Sequence, residues 1–354
     1  MVNRQNPRRR LRRRLIENKR AKDVISSLPD DILLHILSFT PTKFAIRTSL
    51  LSKRWRYIWC DTPSLYFDNC TQRPASIIET QMHYRAPKVN HFRLKTNLQN
   101  KVNFIKSWVK YAMSPSSNMV HGCSVSWPSL KKLSLRWCGF PNESIAKLLS
   151  GCPNLECLTL YCCKGLGFLD LSKNFHLRTL EINSHVESST NIVAPHIHCL
   201  RLINSQLPCT LVNVSSLTEA KLDICIRSRD RIFKDDFLQA MVLGMLDKLQ
   251  HVEKLTFGGN FLQILSLAEV RGVHFPMLEV KTLILETVIF QCVVPGIERL
   301  LQNSPDLKKL MTELLAGSGS WRNMGKPFGK QSLALFRVLV SKQNVPNCSV
   351  ENPK

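Results

Sequence analysis

No stretch of this chain approaches about eighteen consecutive apolar residues, so the sequence predicts no membrane-spanning helix. Nor does an apolar segment follow the basic N-terminus, which argues against a secretory leader. Nucleotide and catalytic signatures are missing too. There is no P-loop, no H-E-x-x-H and no G-x-S-x-G. The pairs Gly165/Gly167 and Gly317/Gly319 lack the third glycine and the strand-to-helix setting of a dinucleotide fingerprint. Thirteen cysteines are present, an odd count with no C-x-x-C pair. That predicts reduced thiols in an intracellular compartment and leaves Cys152, Cys157, Cys162 and Cys163 short of a zinc site. The ten histidines are scattered. These absences predict a non-enzymatic chain with no cofactor, no metal and no membrane partner.

Acidic residues are in short supply. Against 49 Lys and Arg stand 26 Asp and Glu, a net charge of +23. Residues 4–22 alone hold ten Lys or Arg and one Glu, or +9, which leaves +14 for everything else. The run Arg8, Arg9, Arg10, Arg12, Arg13, Arg14 is too polar to build a core, and residues 1–22 are expected to be a disordered basic tail. Such a run suits nuclear import, incidental solvated charge or non-specific phosphate binding. Import leads, giving a nuclear location with the cytoplasm as a second. The remaining charge shows no aromatic-basic groove signature, so a nucleic-acid partner is not expected.

What the chain does have begins at Leu28 to Trp59, LPDDILLHILSFTPTKFAIRTSLLSKRWRYIW. Pro29 suits the first helical position, and Asp30 and Asp31 face the positive end of the helix dipole. Ile32, Leu33, Ile36 and Leu37 recur at helical spacing, and Pro41 ends the run. A second helix is expected from about Thr42 to Ser49. A third would begin near Ser52 and carry Trp55, Ile58 and Trp59. Three helices this short enclose little core, and the apolar stripe is open to two uses, core or interface.

These residues resemble an F-box, and the LSKRWRYIW ending is close to the plant form. The resemblance covers roughly 23–68. F-box proteins are the substrate receptors of SCF ubiquitin ligases, in which the F-box docks a Skp-family adaptor that holds a cullin. Carried over residue by residue, the resemblance implies an adaptor-binding set of Leu28, Pro29, Ile32, Leu33, Ile36, Leu37, Leu51, Ser52, Lys53 and Trp55. After it, Leu65 and Phe67 alternate with polar neighbours and predict a short extended piece.

The rest of the chain repeats. The pattern L-x-x-L-x-L-x-x-N/C fits Val89, Phe92, Leu94, Asn97, then Leu130, Leu133, Leu135, Cys138, then Leu155, Leu158, Leu160, Cys163, and also Val252, Leu255, Phe257, Asn260. Weaker copies start at Leu177, Ile197, Leu217 and Val280. The L-x-L pair points two residues of a short strand inward while Ser134, Thr159, Glu181, Arg201 and Lys221 face outward. The Asn or Cys sits where the chain turns inward, so Cys138 and Cys163 are expected to be structural. Ile145, Leu148, Leu149, Pro153, Leu155 and Leu158 recur at the same offsets from Ile297 to Leu310, as a helix, a turn and the next strand. Val102 to Ala112 forms a further helical stripe.

LLSGCPNLECL and its neighbours are similar to plant F-box/leucine-rich-repeat proteins of the FBD-like family. Two departures stand out: only Ser114 to Ser124 separate the WVKYAM helix from the VSWPSLKKLSL strand, and no C-terminal domain is recognisable. The expected fold is α/β. Residues 1–22 form the tail, 23–69 an all-α three-helix F-box, and 70–127 a linker with a degenerate first repeat and an amphipathic helix. Residues 128–315 form a leucine-rich-repeat solenoid, with short strands on the concave side and short helices or irregular turns on the convex side, and 316–354 a poorly defined tail. The resemblance implies a Skp-family adaptor, a cullin reached through it, and an unidentified target protein as partners. The alternative is a repeat scaffold or nucleic-acid-associated protein independent of the ligase.

Overall fold

Pro29 sets the first helix through its backbone. Its extended ψ of 152° makes it the N-cap of α1 (Asp30–Ser38) rather than its first turn, and its carbonyl accepts the amides of Ile32 and Leu33 at 3.1 and 3.2 Å. The chain turns at Pro41 into α2 (Thr42–Arg47). That helix closes early. The Thr48 and Ser49 hydroxyls donate to the carbonyls of Ala45 and Ile46 at 2.6 and 2.5 Å, competing with backbone amides, and Thr48–Leu50 tightens into a 3-10 turn. A single helical turn, α3 (Trp55–Ile58), completes the set. Beyond it, β1 (Ser64–Asp68) buries Leu65 and Phe67, and its Tyr66 amide donates to Thr42 Oγ1 at 2.9 Å.

This computed structural model describes residues 25–68, 89–95, 127–140, 144–183, 190–205, 209–224, 235–287 and 291–312. They fall into a helical unit up to Phe67 and a repeat unit that includes everything from Lys88. The arginine run at 8–14, the helical stripe at 102–112 and the C-terminal tail lie outside the described residues.

In the repeat unit the alternating Leu pairs form one parallel sheet. Its strands are β2 (His91–Lys95), β3 (Lys132–Arg136), β4 (Cys157–Tyr161), β6 (Thr179–Asn183), β8 (Cys199–Ser205), β10 (Glu219–Ile224), β11 (Lys254–Gly258), β12 (Thr282–Glu286) and β13 (Lys309–Thr312), adjacent in that order. Register stacks Phe92, Leu133, Leu158, Leu180, Leu200, Ala220, Leu255, Leu283 and Leu310 in one buried column. Full burial of a Leu is worth roughly 1.5–3 kcal/mol, so each repeat is held chiefly by its neighbours.

The Asn/Cys position does what its place in the repeat requires. Cys163 Sγ donates to the Leu135 carbonyl of the preceding strand at 3.4 Å, and Asn260 Nδ2 donates to the Ile224 carbonyl at 2.8 Å. Before Cys138 and Cys163 the chain takes a left-handed step, at Trp137 (φ 60°) and Cys162 (φ 49°). Each of those amides then bonds the following strand, to Tyr161 and Asn183 carbonyls at 2.8 and 2.6 Å.

The return segments differ from expectation in part. The helix α4 (Ser144–Ser150) follows β3 as predicted, but the next three repeats return through strands. β5 (Phe168–Asp170), β7 (Thr190–Val193) and β9 (Cys209–Asn213) form a second parallel sheet, with Leu169, Ile192 and Leu211 buried in register. The longer spacings further on hold α5 (Asp235–Lys248) and α6 (Gly259–Val270), followed by α7 (Val294–Gln302). α6 and α7 meet closely at Gly296. A Cβ there would lie 2.7 Å from the Ser266 amide nitrogen and 2.9 Å from the Leu262 carbonyl oxygen, and the Gly296 amide donates to Ser266 Oγ at 2.8 Å. Gly296→Leu is expected to cost about 1–3 kcal/mol through overpacking, seen as a lower urea midpoint at an unchanged slope.

Candidate functional site

The apolar residues of the helical unit divide into an inner and an outer set. Leu33, Leu37, Ala45, Trp55, Ile58, Trp59 and Cys60 form its core, with Leu28, Leu34 and Ile46 partly buried against it. Ile32 and Ile36 are each 45 % exposed, Phe39 is 77 %, Leu50 87 % and Leu51 68 %. On α1 the two sets are adjacent stripes: Leu33 and Leu37 face the core at i, i+4, while Ile32, Ile36 and Phe39 continue at i, i+4, i+7 on the outer side. Phe44, exposed on α2, lies under the Arg47 guanidinium at 6.0 Å, and the His35 ring meets Phe39 edge-on at 5.0 Å.

This sorts the residues singled out from the sequence. Pro29, Ile32, Ile36, Leu51, Ser52 and Lys53 are exposed and Leu28 is half-buried. Leu33, Leu37 and Trp55, which the resemblance implies as adaptor-binding, are buried in the core of the chain by itself, clustered with Ala45, Ile58, Trp59 and Cys60. Phe39, Phe44 and Leu50 were missed. Phe39 was detectable, since it extends the Ile32/Ile36 face by one turn. Leu50 was not, since an apolar residue in a 3-10 turn carries no periodic signal.

Two polar residues of the KRWR segment and its approach fix this surface. Arg54 Nε and Nη2 both reach Asp30 Oδ1, at 3.0 and 2.5 Å, and Nη2 also donates to the Leu28 carbonyl. The start of α1 is thereby tied to the approach to α3, and Leu28 and Pro29 are held in place. Such an exposed pair adds less than about 1 kcal/mol, so its role is orientation. Ser52 Oγ accepts the Trp55 amide at 3.4 Å and begins the last helix.

The outward positions of the repeat sheet form a second surface. Arg93, Ser134, Thr159, Glu181, Arg201 and Lys221 lie side by side in register. The thiols beneath belong to the core. Burial pushes Cys152 and Cys209 up to about 12, and burial, then Cys138, raises Cys163 well above the ordinary thiol range. A raised thiol stays protonated and unreactive. Iodoacetamide at pH 8 is expected to leave Cys152, Cys163 and Cys209 unmodified until urea is added, and Cys138 and Cys162 likewise because they are buried from the reagent, while Cys292, its pKa also raised by burial but its side chain exposed, reacts first in the folded chain; peptide mass spectrometry reads both states. Among the described residues no group of three or more His, Cys, Asp or Glu is placed to hold a metal ion.

Comparison with known proteins matches the same two units. Residues 25–66 match the F-box domain. Residues 92–216 match the leucine-rich repeats of the FBD-associated F-box protein At5g56370. The chain is similar to the putative F-box/LRR-repeat protein At3g18150 of Arabidopsis thaliana, 54 % identical over 330 residues that cover 82 % of this chain and 72 % of the relative. It is also similar to two further Arabidopsis thaliana proteins. The F-box/LRR-repeat protein At3g03360 is 46 % identical over 350 residues, covering 86 % of this chain and 73 % of the relative. The F-box/LRR-repeat protein At5g02910 is 47 % identical over 327 residues, covering 81 % and 71 %. With an exposed apolar stripe on a three-helix unit, a parallel repeat sheet and relatives this similar over most of their length, the chain belongs to the F-box/LRR-repeat family of plants.

Proposed function

We propose that this chain is the substrate-recognition subunit of an SCF-type ubiquitin ligase, its helical unit docking a Skp-family adaptor and, through it, a cullin, and its repeat surface holding a target protein. The observation that supports it is the outer stripe of Ile32, Ile36 and Phe39 with Leu50 and Leu51, large apolar side chains left exposed on a unit that already has its own core. Ubiquitin transfer belongs to the partner enzymes, and this chain contributes proximity and orientation of a target lysine. Co-expression with a Skp-family adaptor, followed by affinity purification of the chain and size-exclusion chromatography, tests the reading. Co-elution of the two is expected; an adaptor that elutes alone overturns it.

We further propose that Arg8, Arg9, Arg10, Arg12, Arg13 and Arg14 direct the chain to the nucleus. A fluorescent fusion of the full chain is expected to concentrate in plant-cell nuclei, and replacement of all six by Gln to spread it through the cytoplasm. An unchanged nuclear signal in that variant removes the proposal.

A further inference from the structure

The outward face of the repeat sheet is not uniform in charge. Across β2, β3 and β4 register places His91, Lys132 and Cys157 in one row, Arg93, Ser134 and Thr159 in the next, and Lys95, Arg136 and Tyr161 in the third. None of these nine positions is acidic. Arg93 and Lys132 are exposed. Lys95 is paired with Asp68 at 2.9 Å. From β6 onward acids and bases alternate and neutralise one another: Glu181 lies beside Arg201 in register, Lys254 pairs with Glu219 at 3.1 Å, and Lys221 reaches Glu286 at 2.6 Å. Among the described residues, net positive charge on this face is therefore concentrated on the first strands.

His91 reports that potential. Its pKa is lowered, by burial first and then by Lys132, Lys131 and Arg93, with Glu156 opposing. At the other end of the face, the Arg136 guanidinium lies over the Tyr161 ring at 5.0 Å, and the Trp137 ring meets Tyr161 at 5.8 Å. A cation held on an aromatic ring is pre-organised, so less entropy is lost when it meets a carboxylate.

We infer that the outward face of β2 to β4 docks an extended acidic segment of the target protein, with Arg93, Lys132 and Arg136 meeting its carboxylates and Tyr161 and Trp137 packing against it. Outward residues of one strand are spaced roughly 6.8 Å apart, and so are alternate residues of an extended segment. Carboxylates at every second position thus match the rows of the grid. The inference rests on the substrate-receptor reading and gives its target a chemistry.

The test uses the full chain, purified by an affinity tag and divided in two. One part is passed over immobilised Skp-family adaptor. The other is titrated against a fluorescein-labelled peptide of six Glu-Gly repeats and its Gln-Gly counterpart, read by fluorescence anisotropy at low and moderate salt. The Glu peptide is expected to bind at least about tenfold tighter than the Gln peptide, and to weaken as salt rises. In the variant Arg93→Glu, Lys132→Glu, Arg136→Glu that preference should be lost, while Lys309→Glu on β13 leaves it unchanged. The basic tail is common to all these proteins, so the difference reads the face. If the triple variant fails to fold by circular dichroism, Lys132→Glu alone is expected to weaken the Glu peptide about threefold. Equal binding of the two peptides, or a folded face variant that binds like the wild type, overturns the inference. So does a labelled DNA dodecamer that binds the wild type more tightly than the Glu peptide does and loses that advantage in the triple variant, since the face would then read phosphate. Loss on the adaptor column with peptide binding intact removes the ligase reading, whereas adaptor retention with no peptide preference removes only this inference.

Discussion

Ile36→Asp is expected to lower affinity for a Skp-family adaptor at least about a hundredfold while leaving the melting temperature of the chain nearly unchanged. Ile36 is 45 % exposed on the outer stripe, so the free chain loses little by the change. In a complex the same position would be closed from water. A carboxylate there would cost several kcal/mol of desolvation and give up the apolar contact, and about 2.7 kcal/mol already corresponds to a hundredfold. Leu33→Asp is the informative contrast. Leu33 is wholly buried in the core of the helical unit, so that change should unfold the unit and lose adaptor binding for a structural reason. Adaptor retention on immobilised beads, with circular dichroism melting on the same samples, separates the two. Undiminished retention of the Ile36→Asp variant would falsify the docking role of the stripe.

Gly165→Val is expected to remove a large share of the stability of the repeat unit, roughly a third of it or more in a domain of middling stability. Gly165 has φ +80°, a region that β-branched residues avoid, and a Cβ there would sit 1.8 Å from the Phe140 carbonyl oxygen. That approach cannot relax easily. Phe140 donates its amide to the Lys164 carbonyl at 2.9 Å, Lys164 donates its own to Cys138 at 2.8 Å, and Phe140 is itself buried. Two turns of successive repeats are thus joined backbone to backbone next to the glycine. Strain and clash together cost roughly 3–5 kcal/mol, against a total stability of about 5–15 kcal/mol for a domain. A Cβ added at Gly167, two residues on, would meet no atom within 4 Å, so Gly167→Ala should unfold in urea close to the wild type. A Gly165→Val midpoint equal to that of Gly167→Ala would refute the account.

The strand columns were legible because a repeat reports its own period. Leu133 and Leu135, Leu158 and Leu160, Leu180 and Ile182 sit at fixed offsets from one another, and alternation on a strand has only two faces to choose between. The return segments were less legible. Leu169 and Leu171, and Ile192 and Ala194, also alternate, but over three or four residues each, too briefly to distinguish a strand from a turn. α6 was hidden for a different reason: Phe261, Leu262, Ile264, Leu265 and Ala268 are buried on several sides, which leaves no polar face to reveal a helical period.

The F-box stripe shows where sequence alone stops. Ile32, Leu33, Ile36 and Leu37 are apolar alike, and consecutive residues on a helix differ by only about 100°, so nothing local marks which pair faces in. The sequence by itself determined that three short helices would carry more apolar surface than they enclose, and that leucines at repeat spacing would stack into a parallel sheet. Both follow from local periodicity. Only the tertiary structure decided that Leu33, Leu37 and Trp55 are core while Ile32, Ile36 and Phe39 remain outside, and that Arg93, Lys132 and Arg136 share one face. Those assignments depend on elements tens of residues apart: on Trp55 and Trp59 closing over α1, and on strand register bringing three separate segments side by side.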